Sequence, residues 1–205
     1  MSPRAYNLGQ RQLARDETRS RIVSAARDLL ADESGPADFT VDAVARLAGV
    51  ARMTVYYQFQ SKRGLLEALF DDLANRGLMP HLQPVFHEPA PARALDGLIH
   101  AFAAFWNSDR IVLRRARALA ALDADVAGSV RVRDELRRGH LSRILGRWYE
   151  EKGSPPPKAR PSAVDILHML TSFETFDALL CGKRSVEDAT RIICELAAAT
   201  LDRPD

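Results

Sequence analysis

The run Arg52-Met53-Thr54-Val55-Tyr56-Tyr57-Gln58-Phe59 sets hydrogen-bond donors and aromatic rings at a spacing suited to reading a polymer rather than breaking a bond. Val55 and Phe59 lie four apart and claim the inward side of a helix, which leaves Arg52, Met53, Thr54, Tyr56 and Tyr57 outward or on its shoulders. Arg52, at the start, carries the two-pronged donor edge that matches guanine, and Met53 and Thr54 suit thymine methyls or phosphate oxygens. The patterns of catalysis do not occur: there is no nucleophile elbow, phosphate loop, zinc helix or telling pair of carboxylates. The chemistry predicted is recognition of DNA, not turnover, and it calls for no cofactor.

A helix that offers such a face must be held from behind. Val41, Val44, Ala45 and Ala48 recur at helical spacing, Gly49 breaks that helix, and Val50 opens the turn into the next. Upstream, Ile22, Ala25, Ala26 and Leu29 form one helical face that Gly35 ends, before Phe39-Thr40 opens the second helix. Two short helices hinged at a glycine form the helix-turn-helix arrangement, whose second helix enters the major groove. The spacing predicts helices over about 16–32, 41–47, 52–59 and 62–77, the last carrying Leu65, Leu66, Leu69, Phe70 and Leu73. Val44, Leu47 and Phe59 are expected in the core, Arg46 and Arg63 in solvent. Tyr57 suits either an outward role or the edge of a small core.

The register Ala48-Gly49-Val50, Thr54-Val55-Tyr56-Tyr57, Phe59, Ser61-Lys62 and Leu65-Leu66 resembles the N-terminal domain of the TetR family of transcriptional regulators. The resemblance covers roughly residues 18–70. It implies that Tyr56 and Tyr57 hydrogen-bond phosphate or touch base edges, that Lys62 clamps a phosphate, and that Thr40 anchors the backbone. It also implies an all-α fold: an N-terminal three-helix helix-turn-helix domain, then a larger helical domain for effector binding and dimerisation. One departure stands out. The family usually has serine or a similar capping residue after the Gly-Val pair, whereas Ala51 cannot accept a bond from an orphan amide, a loss of typically ~0.5–2 kcal/mol.

Charge is uneven along the chain. The net charge is +2 from 29 Lys and Arg against 27 Asp and Glu; residues 1–63 hold ten of those bases and seven of the acids, and so carry +3. A basic N-terminal part on a near-neutral body suits phosphate binding by one end. Residues 1–15 show no clear period and read as a flexible basic arm, whose Arg4, Arg11 and Arg15 suit either a minor groove or solvent. No apolar run approaches the roughly 18 residues that span a bilayer, and the N-terminus lacks the apolar core of a secretory signal. With only Cys181 and Cys194, no disulfide framework is expected, and the chain reads as cytoplasmic.

The domains expected are the arm at 1–15, the DNA-binding domain with its connector helix at 16–77, and a ligand-binding and dimerisation domain at 78–205. Pro80, Pro84, Pro89 and Pro91 mark a linker or broken segment. Helices are expected from Leu95 through Trp106, over 110–122 and 124–152, and then near 162–181 and 186–201; Gly153 and Ser154–Pro157 end the long one. The resemblance implies a small-molecule pocket among the middle helices, for which Phe102, Phe105, Trp106, Trp148, Phe173 and Phe176, with Phe86, supply apolar walls. His100 and Asp177 are polar contacts for it, as are His168 and Glu174. For any one of these aromatics plain core is the better reading, and the effector preferred is apolar or aromatic.

For dimerisation, Ile192, Ile193 and Leu196, with Leu170 and Phe173 of the preceding helix, form stripes that suit either a four-helix bundle with a second copy or the subunit's own core. Pairing would place two recognition helices about 34–36 Å apart, one turn of DNA. The arginines of 131–147 read as a solvated face, the two cysteines as inert thiols, and Asp165 with His168 as poor evidence for a metal, so no metal site is expected. The reading is a ligand-responsive homodimeric regulator, most often a repressor in such proteins, on a palindromic double-stranded operator. Its alternative is a ligand-independent architectural DNA-binding protein, and, less favoured, a small helical enzyme.

Overall fold

This computed structural model describes residues 3–32, 39–153 and 163–201, with side chains from Gly9 onward. Gly35 and Ser154–Pro157, read above as helix ends, and the side chain of Arg4 lie outside the described residues. Among the described residues there are eleven helices and no strand: α1 Pro3–Ala31, α2 Val41–Leu47, α3 Arg52–Phe59, α4 Lys62–Gly77, α5 Met79–His87, α6 Pro91–Ser108, α7 Arg110–Ala120, α8 Ala124–Lys152, α9 Ala163–Leu170, α10 Phe173–Leu180 and α11 Val186–Leu201. The all-α expectation holds. None of these helices is long and apolar enough to cross a membrane.

The chain divides into two compact units, Met1–Asp72 with Arg115–Ser129, and Leu73–Arg114 with Val130–Asp205. The reading of domains placed 115–129 wholly in the second part. Contacts between residues far apart in sequence assign it to the first. In that unit α1 contributes Ile22, Ala26 and Leu30 to the core, α2 Val41, Val44 and Ala45, α3 Val55 and Phe59, and α4 Leu65, Leu66 and Leu69. Ala116, Leu119 and Val126 are buried there too. Arg115 donates to the Leu30 carbonyl at 3.0 Å, satisfying an acceptor in the last turn of α1.

Three local expectations are corrected. Residues 3–15 are helical, the start of α1, instead of a separate arm. Ala5, Leu8, Gln10, Gln12, Leu13 and Ala14 favour helix, and a Gln12–Asp16 bond of 2.9 Å supports it. The proline-marked segment contains α5, because Pro80 sits in the first turn, where its missing N–H costs nothing; Leu82 and Val85 are buried. The single helix expected near 162–181 is two. Ser172 is extended (φ −70°, ψ 156°) and its hydroxyl accepts from the Thr175 amide at 3.2 Å, starting a new helix where one turn would have continued.

In the second unit the core joins Leu95, Leu98, Ile99, Phe102, Phe105 and Trp106 of α6 to Leu167 and Leu170 of α9, Phe173 and Phe176 of α10, and Ile193 and Ala197 of α11. Trp106 is its centre. The ring lies 4.8 Å from Phe105, 5.5 Å from Phe102 and 5.7 Å, edge-on, from Phe173. Its Nε1–H donates to the Thr171 carbonyl at 3.0 Å, at the break between α9 and α10.

Candidate nucleic-acid interface

The turn before α3 is fixed by backbone bonds. The Val50 amide donates to the Ala45 carbonyl at 3.0 Å and the Gly49 amide to Arg46 at 3.2 Å, the paired bonds of a Schellman ending. Gly49 takes φ +64°, the left-handed conformation this ending requires. Thr40 caps α2, its hydroxyl accepting from the Ala43 amide at 3.1 Å. Ala51 opens α3 with no side-chain cap, and the Thr54 amide turns instead to the Ala51 carbonyl at 2.8 Å. Behind α3, Arg19 donates to the Gln58 carbonyl at 3.1 Å and stands 4.4 Å over the Phe59 ring.

The exit from α3 is equally tight. Ser61 caps α4 by accepting from the Gly64 amide at 3.0 Å, and a Cβ on Gly64 would lie 2.1 Å from the Phe59 carbonyl oxygen. Only glycine fits. This requirement was not read from the sequence, because it arises from a backbone folded back on itself.

On the outer side of α3, Met53 and Tyr57 are each 73% exposed. Tyr56 and Thr54 are half-buried and Arg52 is exposed. Arg52 donates to Asp42 at 3.1 Å and to the Tyr56 hydroxyl at 3.3 Å, so its guanidinium is held beside the start of the helix. Arg15 of α1 lies 5.5 Å over the Tyr57 ring. Arg52, Met53 and Tyr57 thus share one open surface. Leu47, expected in the core, is 55% exposed; it stands at the last position of α2 and lines an open groove with Ser24 and Asp28 of α1 instead of filling the core.

Lys62 sits differently from a free phosphate clamp. Its ammonium donates to Asp123 at 2.7 Å, with the two side chains 29% and 24% exposed. The other oxygen of Asp123 accepts from the amides of Asp125 (3.0 Å) and Val126 (3.2 Å), capping α8. The hydrogen bond from Lys62 outweighs burial, and with those amides it holds the Asp123 carboxyl below its ordinary range. Arg63 pairs with Glu67 along α4.

The residues read as an effector box separate into different settings. Phe102, Phe105, Trp106, Phe173 and Phe176 are buried in the core of the second unit, packed on one another. Phe86, 45% exposed, stacks beside His140. Burial alone would push Asp177 up, but hydrogen bonds from Arg114 (2.7 Å) and Arg110 (2.6 Å) prevail and lower it. His168 lies 2.9 Å from Arg137, and burial first, then that guanidinium, lowers its pKa. Arg137 itself is 3% exposed, under Phe102 and Trp106 at 5.8 Å each, so this member of the expected solvated face is buried. A cleft of about 160 Å³ is lined by Leu95, Ile99, Trp148, Cys194, Ala197 and Leu201, among others; of the expected box it contains only Trp148.

The expected dimer stripe also divides. Leu170, Phe173 and Ile193 are buried within the chain's own unit, whereas Ile192 is half-buried and Leu196 is 49% exposed. The helical turn explains it. Neighbouring positions point about 100° apart, so Ile193 faces inward while Ile192 and Leu196 share the outer side.

Two short helices joined by a glycine Schellman turn, the second held from behind and open along Arg52, Met53 and Tyr57, define a helix-turn-helix protein. Residues 22–69 match the family model of "Bacterial regulatory proteins, tetR family". The HTH-type transcriptional regulator TtgR of Pseudomonas putida is 30% identical over 146 residues, 61% of this chain and 69% of that protein. The HTH-type transcriptional regulator EthR of Mycobacterium tuberculosis is 32% identical over 115 residues, 55% of this chain and only 52%, about half, of EthR's length. A TetR-family regulator from Rhodococcus sp. shares the fold with a TM-score of 0.71 at 18% identity, covering 91% of this chain and all of that one. The chain belongs to the TetR family of helix-turn-helix transcriptional regulators.

Proposed function

We propose that the chain is a repressor that binds a palindromic DNA operator as a homodimer and is released by a small-molecule effector. The exposed face of α3 carries this reading. Arg52 supplies the guanine-reading fork, Met53 and Thr54 the contacts to thymine methyls, and Tyr56 and Tyr57 the donors for phosphate. Thr40 serves as cap and backbone anchor together. Lys62 contributes to phosphate binding to the extent that Asp123 gives it up.

A single domain of this size makes few phosphate contacts, and pairing doubles them while adding the constraint of half-site spacing. Ile192 and Leu196 are large apolar residues on the outer side of α11, available to a second copy. The effector enters through the Trp148 cleft. At about 160 Å³ it is small beside the ~300–1,000 Å³ of drug-sized sites, so it suits a compact, largely apolar molecule. Release follows if the effector binds better to the form whose recognition helices are wrongly spaced. The helix α4, whose chain runs from one unit into the other, is the element placed to carry that change. The protein works where the chromosome is, in the cytoplasm.

The test is a genome-wide selection of DNA fragments by the purified protein at near-physiological salt, read by sequencing. An enriched inverted repeat with half-sites one helical turn apart is expected. Retention of DNA with no enriched motif would overturn the operator reading.

A further inference from the structure

Near the mouth of the Trp148 cleft three side chains of different chemistry converge. Asp96 and His100 stand one turn apart on α6, and Cys194 faces them from α11; one ligand atom of each lies within 4.8 Å of the others. The Nδ1 of His100 is 2.9 Å from the Asp96 carbonyl and 3.4 Å from the Asp96 carboxylate, so the imidazole is already held beside the acid. Asp96 and Cys194 line the cleft, with Leu95, Ile99 and Trp148 as its apolar wall. We propose that Asp96, His100 and Cys194 form a binding site for a divalent transition metal of the zinc class. The proposal is independent of the DNA-binding reading.

The donor set decides the metal. One thiolate, one imidazole and one carboxylate are borderline-to-soft donors, which suit Zn²⁺ or Co²⁺ and disfavour Mg²⁺ and Ca²⁺. Bond lengths of about 2.0–2.3 Å in a tetrahedral site set its ligand atoms about 3.3–3.8 Å apart. Closing from within 4.8 Å to that distance takes rotamer adjustment of two exposed side chains, not movement of either helix. Three protein ligands leave a fourth position for water or for a donor atom of a molecule in the cleft.

Binding must displace the proton of the Cys194 thiol. The S–H bond breaks, the sulfur–metal bond forms from the same electron pair, and one proton leaves to solvent. On α11 Cys194 points nearly opposite to Ile192 and Leu196, so the site stays clear of the face proposed for the second copy.

The experiment is titration of the chelator-treated full-length protein with Co²⁺, followed by absorbance, with Zn²⁺ then used to displace it. One equivalent is expected, with tetrahedral d–d bands and a thiolate-to-cobalt charge-transfer band that Zn²⁺ abolishes. C194S should lose the charge-transfer band, C181S should keep it, and H100Q, at an exposed position that does not threaten folding, should weaken binding at least about tenfold. Absence of the charge-transfer band, its loss in C181S instead of C194S, or unchanged affinity in H100Q would each overturn the site.

Discussion

Replacing Asp123 tests two roles that the structure assigns to its two oxygens. Oδ2 accepts from the Lys62 ammonium at 2.7 Å and Oδ1 from the Asp125 and Val126 amides at the start of α8. Asparagine caps a helix as well as aspartate does, so Asp123→Asn removes the charge and spares the cap; Asp123→Ala removes both. The pair is 29% and 24% exposed. Its contribution falls between the ~0–1 kcal/mol of a surface ion pair and the ~1.5–3 kcal/mol of a bond to a charged group. Asp123→Asn is therefore expected to cost about 1 kcal/mol, and Asp123→Ala about 2 kcal/mol once a cap worth about 1 is added. Urea unfolding followed by helical circular dichroism reads both.

The pH dependence has a definite sign. Because the folded carboxyl is held below its ordinary range, the pair stabilises in full above the unfolded value of about 3.9 and fades as pH falls through the folded value. The gap between wild type and Asp123→Asn should be level near neutrality and close in acid. DNA binding supplies an independent readout. With Asp123 neutral, Lys62 becomes available to a phosphate, and the slope of log affinity against log salt should steepen by about 0.9 for each subunit bound, about 1.8 for a homodimer. Equal costs for the two variants, or a gap that persists in acid, would refute the division of roles; an unchanged salt slope would refute the competition for Lys62.

Three further outcomes are expected. Gly49→Ala should cost about 1–2 kcal/mol through its left-handed backbone alone, because no atom lies within 4 Å of the added Cβ, whereas Gly64→Ala should cost more, because its Cβ meets the Phe59 carbonyl at 2.1 Å; thermal unfolding ranks them. Arg52→Ala should leave stability within about 0.5 kcal/mol but weaken operator binding by about 1–3 kcal/mol per half-site and relax preference at one base position in each half-site, as competition binding across single-base operator variants would report. Asp177→Asn, which loses charge on a side chain 17% exposed between Arg110 and Arg114, should cost about 2 kcal/mol near neutral pH. Since Asp177 is also lowered on folding, that cost should shrink as acid protonates the wild-type carboxyl, seen as converging melting temperatures.

What the sequence made legible is what short-range spacing controls. The limits of α2 and α3, the inward turn of Val55 and Phe59, the missing cap at Ala51 and the break at Gly49 all follow from residues within a few positions of one another. The local errors have local causes. Pro80 and Pro84 read as a break because proline is costly inside a helix, yet one of them occupies the first turn of α5, where that cost vanishes. Thr171-Ser172 read as helix because nothing adjacent shows that Ser172 will cap a new one.

The larger departures all come from partners distant in the chain. The register rightly placed Lys62 at the start of α4, and register cannot show that the residue facing it is Asp123. Trp106, Phe102 and Phe173 each suit core better than a ligand site by spacing alone, and the fold places their rings against one another. Arg137 sits in a run of arginines that reads as solvated, and only the rings of α6 show why one of them turns inward. Asp96 and His100 are an ordinary i, i+4 pair without Cys194 across from them. Helical spacing identifies the surface a residue stands on, and the chemistry of that residue is then set by what the fold brings opposite. For this chain the recognition surface is largely a property of one short segment and is open to sequence reading. The pairing of Lys62 with Asp123 and the grouping of Asp96, Trp148 and Cys194 around one cleft depend on residues distant in the chain and must be read from the structure.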